Sequence, residues 1–208
     1  MNSNQELVNY LLGTGYASEK IAKAVMKIDR ADFVPEQLKQ NAYIDSPLPI
    51  GHGQTISAPG VVTFMTRLLD VQEGMTVLEV GAGSGYQAAV LAELVGEKGK
   101  VITIERVAEL VERAKANCMR AGYKNIEFIH SDGTKGHPAK APYERIIVTA
   151  AARSVPKALE EQLAEGGKLV IPVGSSYRQD LLLIQKLKGE LQVEKTMPVV
   201  FVPLIGEE

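Results

Sequence analysis

The 208 residues contain no tryptophan, one cysteine (Cys118) and three scattered histidines, His52, His130 and His137. A lone cysteine rules out an intrachain disulfide framework, and no Cys/His cluster has the spacing of a metal site. No apolar run is long enough to span a bilayer. The N-terminal MNSNQELVNYLL lacks the basic start and long apolar centre of a secretion signal. The formal charge of −2, with no basic cluster, removes any overall electrostatic draw towards nucleic acid or anionic membrane. The expectation is a soluble cytoplasmic chain, with 45% hydrophobic residues to fill the core of one domain.

What the chain does have is concentrated at Thr76 to Gly85, TVLEVGAGSG. An apolar, β-branched run (Val77, Leu78, Val80) leads into Gly81, Gly83 and Gly85. Beyond them, Ala88, Val90, Leu91, Leu94 and Val95 follow at helical spacing. Strand, glycine turn and helix in that order open a doubly wound α/β domain, whose ligand sits at the carboxyl end of the strand. The spacing is G-x-G-x-G rather than G-x-G-x-x-G, and Glu79 stands two residues before the first glycine. A carboxylate there repels a pyrophosphate and attracts an ammonium or sulfonium group. The next strand, Val101 to Ile104, ends in Glu105, an acid placed to accept hydrogen bonds from ribose hydroxyls. A nucleoside with a cationic tail and no phosphates is implied, and S-adenosylmethionine fits. An NAD-dependent dehydrogenase fits less well.

Along the chain, residues 3–14 and 18–28 read as short helices, the second with Ser18 as N-cap and Ile21, Val25 and Ile28 on one face. Pro35 opens a third. Residues 43–59, YIDSPLPIGHGQTISAP, hold three prolines and two glycines among small polar residues, an extended segment too long for a plain connector. Helical spacing resumes over 60–70, with Val61, Met65, Leu68 and Leu69 on the buried side. Strands are expected at 76–80, 101–105, 126–130, 145–149 and 168–173, and helices at 86–95, 107–121 (closed by Gly122) and from about Ser154 to Gly166-Gly167. A hairpin turning at Lys188-Gly189-Glu190 and a last strand at 199–202 complete the chain.

Collinear stretches over nearly the whole chain resemble the protein-L-isoaspartate (D-aspartate) O-methyltransferase family: RADFVP (30–35), PLPIGHGQTISAP (47–59), VLEVGAGSGYQAAVLA (77–92), VITIERV (101–107), YERIIVTAAA (143–152), QLAEGGKLVIPVG (162–174) and VVFVPLIG (199–206). The glycine motif identifies only the methyltransferase class; the 47–59, VTAAA and FVPL segments are particular to the family. Ala82 stands where the family often has threonine, and Gly60 and Val62 where some members carry a polar residue. The resemblance implies a Rossmann-like methyltransferase sheet with helices on both faces, antiparallel C-terminal strands and an N-terminal helical extension. One domain is expected, with substrate-loop (1–59), cofactor (60–174) and C-terminal (175–208) parts.

The implied activity is methyl transfer from S-adenosylmethionine to the free α-carboxylate of L-isoaspartyl residues in damaged proteins, with D-aspartyl residues as a further acceptor. S-adenosyl-L-homocysteine is the product, and the enzyme is expected to be a monomer. By the resemblance Ser57 is the active-site residue, its hydroxyl donating to the substrate carboxylate; its place before Ala58-Pro59 also suits a helix N-cap. Gln54, Thr55, Ile56, Glu79, Gly81, Ala82, Gly83, Gly85, Glu105, Arg106, Asp132 and Gly133 are the implied cofactor residues. Glu79 would serve the ammonium end, Glu105 the ribose and Asp132 the adenine amino group. An acid in Glu79's place could also simply cap the next turn, and Asp-Gly is also an ordinary turn pair. Thr55, Ser57, Thr149, Ala150, Val202 and Leu204 are the implied substrate residues. A small-molecule acceptor, or a binding module without turnover, are the competing readings.

Overall fold

Strands apolar on both faces belong inside a sheet covered on both sides. The computed structural model, which describes residues 1–206, builds such a sheet around Thr76–Val80. The chain opens with helices α1 (Asn4–Gly13) and α2 (Glu19–Lys27), and Ser18 accepts a hydrogen bond from the Ile21 amide as the N-cap of α2. Short 3-10 turns follow at Arg30–Phe33 and Glu36–Asn41. The proline-rich segment is not wholly irregular: β1 (Leu48–Gly51) and β2 (Gln54–Ile56) form an antiparallel hairpin through Gly51-His52-Gly53, all at positive φ.

Helix α3 (Pro59–Leu69) leads to β3 (Thr76–Val80), then α4 (Tyr86–Val95), β4 (Lys100–Glu105), α5 (Ala108–Arg120), β5 (Ile126–His130) and β6 (Tyr143–Val148). Val62, Met65, Thr66 and Leu69 form the inner face of α3, so the buried stripe is rotated from the expected one: Val61 and Leu68 are only half-buried. Gly122, at φ 91°, ends α5 as expected.

The C-terminal third departs more. Instead of a long helix from Ser154, α6 spans only Lys157–Glu161, and β7 (Leu163–Gly174) begins almost at once. Gly166 and Gly167 therefore lie inside that strand. The pairing shifts between Tyr143↔Leu163 and Arg145↔Lys168, and the glycines sit in the resulting irregularity. β8 (Gln179–Leu187) and β9 (Glu190–Val199) form the expected hairpin, with Lys188 and Gly189 both at positive φ, as a tight primed turn requires. The strand expected at 199–202 is not formed. The side chain of Gln179 takes the ladder's role, accepting from the Phe201 amide (2.6 Å) and donating to its carbonyl (3.1 Å).

The strand order is β5-β4-β3-β6-β7-β8-β9, parallel from β5 to β7 and antiparallel thereafter. One face, with Val77, Val101, Ile147 and Val170, joins the core of α1 to α5; the other, with Leu78, Ile102, Ile146 and Leu169, packs on Leu159 of α6. The chain runs outward from β3 to β5 and returns to β6 on the other side of β3. That reversal opens a crevice at the carboxyl ends of β3 and β6, where α/β sheets bind ligands.

Candidate active site

Each carboxyl-end loop is shaped by a close approach. Gly81 has φ 100°, and a Cβ there would run into Thr149 Oγ1. The Thr149 hydroxyl instead donates to the Gly81 carbonyl (2.7 Å), tying the loop after β3 to the end of β6. Gly83 has φ 53° and Gly85 φ 87°. A Cβ on Gly85 would lie 2.9 Å from both the Ala114 carbonyl oxygen and Cys118 Sγ, so Gly85 serves the seating of α4 on α5 and does not line the cleft. Gly133 lines the cleft, and a Cβ there would strike Val80.

The three acids separate by environment. Glu105 accepts from the Gly83 amide (3.1 Å) through one oxygen and from the Arg106 and Val107 amides (2.8 and 3.0 Å) through the other. Three of a carboxylate's roughly four acceptor sites are thus occupied, which fixes its orientation beside the cleft. Asp132 accepts from the Thr134 amide and hydroxyl (2.9 and 2.7 Å), capping the 3-10 turn Gly133–Lys135; it is Gly133, not Asp132, that lines the cleft. Glu79 lies below the floor, fully buried. One oxygen accepts from the Thr103 hydroxyl, and Oε1 has no hydrogen-bond partner among the described residues. Burial pushes its carboxyl up to about 8; the Thr103 hydrogen bond opposes this and the Glu105 charge adds to it. A buried carboxyl with an orphaned oxygen and no cation beside it suits a site that receives a positive group.

On the opposite wall Ser57 does not cap α3. The N-cap position is Ala58, and the acceptor at that helix start is Asp45 Oδ1, 2.7 Å from the Gly60 amide. Asp45 also accounts for Gly60, since a Cβ there would lie 2.7 Å from Asp45 Oδ2 and 2.9 Å from the Tyr16 ring. The hairpin is pinned to α5 by Arg113, which donates to the Ile50 carbonyl. Arg30, wholly buried, donates to the carbonyls of Ala42 (2.5 Å), Ser46 (3.1 Å) and Ser57 (3.1 Å).

Together these walls enclose a cleft of about 900 Å³ including its mouth. Gln54, Thr55, Ile56, Ser57, Gly81, Ala82, Gly83, Glu105, Arg106, Gly133, Thr149, Ala150, Val202 and Leu204 line it, so the structure brings together all the expected site residues except Glu79, Gly85 and Asp132. Val202 and Leu204 are held there by Ala151, whose amide donates to the Val202 carbonyl and whose carbonyl accepts from the Leu204 amide, both at 2.8 Å. A second depression of about 570 Å³, between the hairpin and residues 197–202, adjoins the cleft; Thr55, Ser57, Thr149 and Val202 line both.

Sequence reasoning missed Val62, Met65, Ser84, Tyr86 and Gln87 on the cleft wall. Tyr86 and Gln87 had a signal: they are polar residues opening an otherwise apolar helix directly after the glycine loop. Gln87 donates to Thr66 Oγ1 (3.0 Å), while the buried Tyr86 hydroxyl has no partner among the described residues.

A parallel sheet with a glycine turn after its central strand, an acid ending the next strand and no phosphate-binding spacing defines a nucleoside-dependent methyltransferase fold, with S-adenosylmethionine as cofactor. The site residues fit that cofactor: an acceptor for a ribose in Glu105, a buried carboxyl with an orphaned oxygen in Glu79, and glycines in the turns that border the cleft. The family model for protein-L-isoaspartate(D-aspartate) O-methyltransferase matches residues 2–208. Relatives named protein-L-isoaspartate O-methyltransferase include one from Methanopyrus kandleri, 53% identical over 99% of this chain and 92% of the relative. Another, from Methanothrix thermoacetophila, is 55% identical over 92% of this chain and 90% of the relative. A crystal structure of the Plasmodium falciparum protein of that description, in complex with S-adenosyl-L-homocysteine, superposes with a TM-score of 0.89 at 30% identity, covering 99% of each chain. The chain belongs to the protein-L-isoaspartate (D-aspartate) O-methyltransferase family.

Proposed function

We propose how this cleft divides the work of the reaction that family membership assigns to the chain: methyl esterification of the free α-carboxylate of L-isoaspartyl residues in damaged proteins and peptides. The observation that carries the proposal is the shared wall. Thr55, Ser57, Thr149 and Val202 border both the cofactor cleft and the adjoining depression, so a carboxylate reaching over that wall meets the methyl group. When bound, S-adenosylmethionine supplies an electrophilic sulfonium methyl and leaves as S-adenosyl-L-homocysteine.

The chain's own residues align the partners. A carboxyl group of pKa near ~4 is ionised at neutral pH, so no general base is needed; positioning and exclusion of water carry the rate. Ser57, released from helix capping by Asp45, donates its hydroxyl to one carboxylate oxygen and leaves the other in line with the methyl group. Glu105 receives ribose through its remaining acceptor site, Gly133 lets the base approach, and Glu79 favours the cationic tail from below the floor. Thr149, whose hydroxyl is spent on Gly81, shapes the wall without donating to substrate. Small residues and backbone dominate the substrate side, which suits recognition of a main-chain defect in many sequence contexts. Action as a monomer belongs to the same proposal, and the absence of any excess of positive charge supports protein rather than nucleic acid as the acceptor. A cytoplasmic location belongs to the same proposal.

The test is transfer of labelled methyl to two peptides that differ only in Asp versus isoAsp, with wild type and Ser57→Ala. Base-labile label should appear on the isoAsp peptide alone, and Ser57→Ala should lower kcat by roughly 10- to 100-fold, the worth of a hydrogen bond to a charged group, with cofactor affinity unchanged. Equal labelling of both peptides would sink the substrate assignment; an unchanged kcat would sink the role of Ser57.

A further inference from the structure

Arg30 is wholly buried, yet it makes no ion pair among the described residues. Buried cations are ordinarily matched by carboxylates. Here the guanidinium spends its Nη donors on three carbonyls, Ala42, Ser46 and Ser57, and Nε has no partner among the described residues. Burial draws the group down to about 10, with the Tyr86 and Asp45 side chains opposing the fall, so it remains a cation at neutral pH. Ala42 and Ser57 stand at the two ends of the substrate segment, and among the described residues no backbone ladder joins them. Three residues on from Arg30, Phe33 packs edge-on against the Tyr86 ring at 5.4 Å, and Tyr86 lines the cleft. One short turn therefore touches both the substrate segment and the cofactor wall.

We infer that Arg30 is a positioning residue for the methyl acceptor: by fixing the carbonyl of Ser57 and closing the segment 42–57 on itself, it sets the direction of the Ser57 hydroxyl. A planar fork of fixed donors can hold carbonyls converging from different directions, which one point-like ammonium cannot. Loss of the fork leaves the cofactor side intact and lets Ser57 drift, and displacements of about 1 Å cost up to ~100-fold in rate. This inference rests on the role of Ser57 proposed above.

The experiment is a double-mutant cycle of Arg30→Lys and Ser57→Ala, with isoAsp-peptide kcat and KM, affinity for S-adenosylhomocysteine by calorimetry, and amide hydrogen exchange over residues 43–60. Arg30→Lys alone should lower kcat roughly tenfold or more, speed exchange in that segment, and leave the S-adenosylhomocysteine affinity within about twofold. In the Ser57→Ala background the same change should cost no more than about twofold, because the residues act as one unit. An undiminished cost in that background overturns the inference while leaving Ser57 its role. A cofactor affinity that falls in step with kcat also overturns it, since Arg30 would then be a general structural residue. If Ser57→Ala alone costs nothing, the Ser57 role falls first and this inference with it. Should Arg30→Lys fail to fold, Arg30→Gln, which keeps a planar amide donor, goes through the same cycle with the same criteria.

Discussion

Gly81 and Ser57 face one cleft from opposite walls, but they are held by different means. Gly81 is set by its own backbone: a positive φ, a parallel strand on either side of β3, and Thr149 packed where a Cβ would be. Ser57 lies between a two-stranded hairpin and a helix start, outside the main sheet, and side chains from distant parts of the chain hold its surroundings. Arg30 grips the carbonyls, Asp45 caps α3 and Arg113 pins Ile50. On the proposed division of roles, the wall for an invariable cofactor is built into the sheet, whereas the wall that admits varied peptides is assembled from clips. Rigidity of the first kind fails sharply when one atom is added; rigidity of the second should fail by degrees.

The sharpest break comes from Gly81→Ala. The added methyl meets Thr149 Oγ1 at a φ that L-residues avoid, with strain of about 1–3 kcal/mol and loss of the Thr149 lock. S-adenosylhomocysteine affinity, measured by calorimetry, should fall by roughly 10- to 100-fold. Gly83→Ala should cost clearly less, since its Cβ would meet only Ile50 Cδ1, at 3.5 Å. Equal losses at both positions would mean that glycine conformation, and not the Thr149 contact, sets this wall.

Next in size is a pH effect on the same wall. Glu79 has its carboxyl raised from 4.5 to about 8, chiefly by burial. Between those values the folded chain keeps a proton that the unfolded chain has released, so Glu79's contribution is present below about pH 4.5 and is lost as pH rises through about 8. Glu79→Gln, which retains an acceptor for Thr103, should therefore stabilise the cofactor-free protein at pH 9 by roughly 5 °C in Tm and change little at pH 5. The same variant should bind S-adenosylmethionine more weakly. A Tm difference that does not vary with pH would show that Glu79 is ionised throughout.

The contrast between the walls also governs how much could be read in the sequence. The strand, glycine turn and Glu105 announce themselves locally, because period, φ requirement and strand-end acid are properties of neighbouring residues. The Thr55–Ser57 segment was found through resemblance, since nothing in its own pattern places it beside Thr149. Asp45 and Arg30 lie in stretches the sequence singles out, but their roles carry no local signal, because their partners lie 15 and up to 27 residues away and are backbone groups that any residue supplies. The same blindness explains the missing strand at 199–202. An alternating apolar pattern cannot show that the Gln179 side chain, more than 20 residues upstream, satisfies the backbone at Phe201. The long helix expected after Ser154 failed for another reason: Leu163 is apolar in either state, and its pairing with Tyr143 in the sheet won.

The smallest effect tests whether the clips act by degrees. Asp45 accepts from the Gly60 amide at the first turn of α3, next to Ser57, and its removal by Asp45→Ala should cost about 1 kcal/mol, the usual worth of such a cap, or about 2–4 °C in Tm for a chain of this length. Asp45→Asn keeps an acceptor and should recover most of that loss, while Asp45→Ala lowers kcat for the isoAsp peptide a few-fold with the S-adenosylhomocysteine affinity unchanged. That pattern would place Asp45 with the substrate wall, as a cap that frees Ser57 for the acceptor carboxylate. If Asp45→Ala weakened cofactor binding as much as turnover, the two walls would be one mechanical unit, and the distinction between a wall built by backbone and a wall held by side chains would not survive.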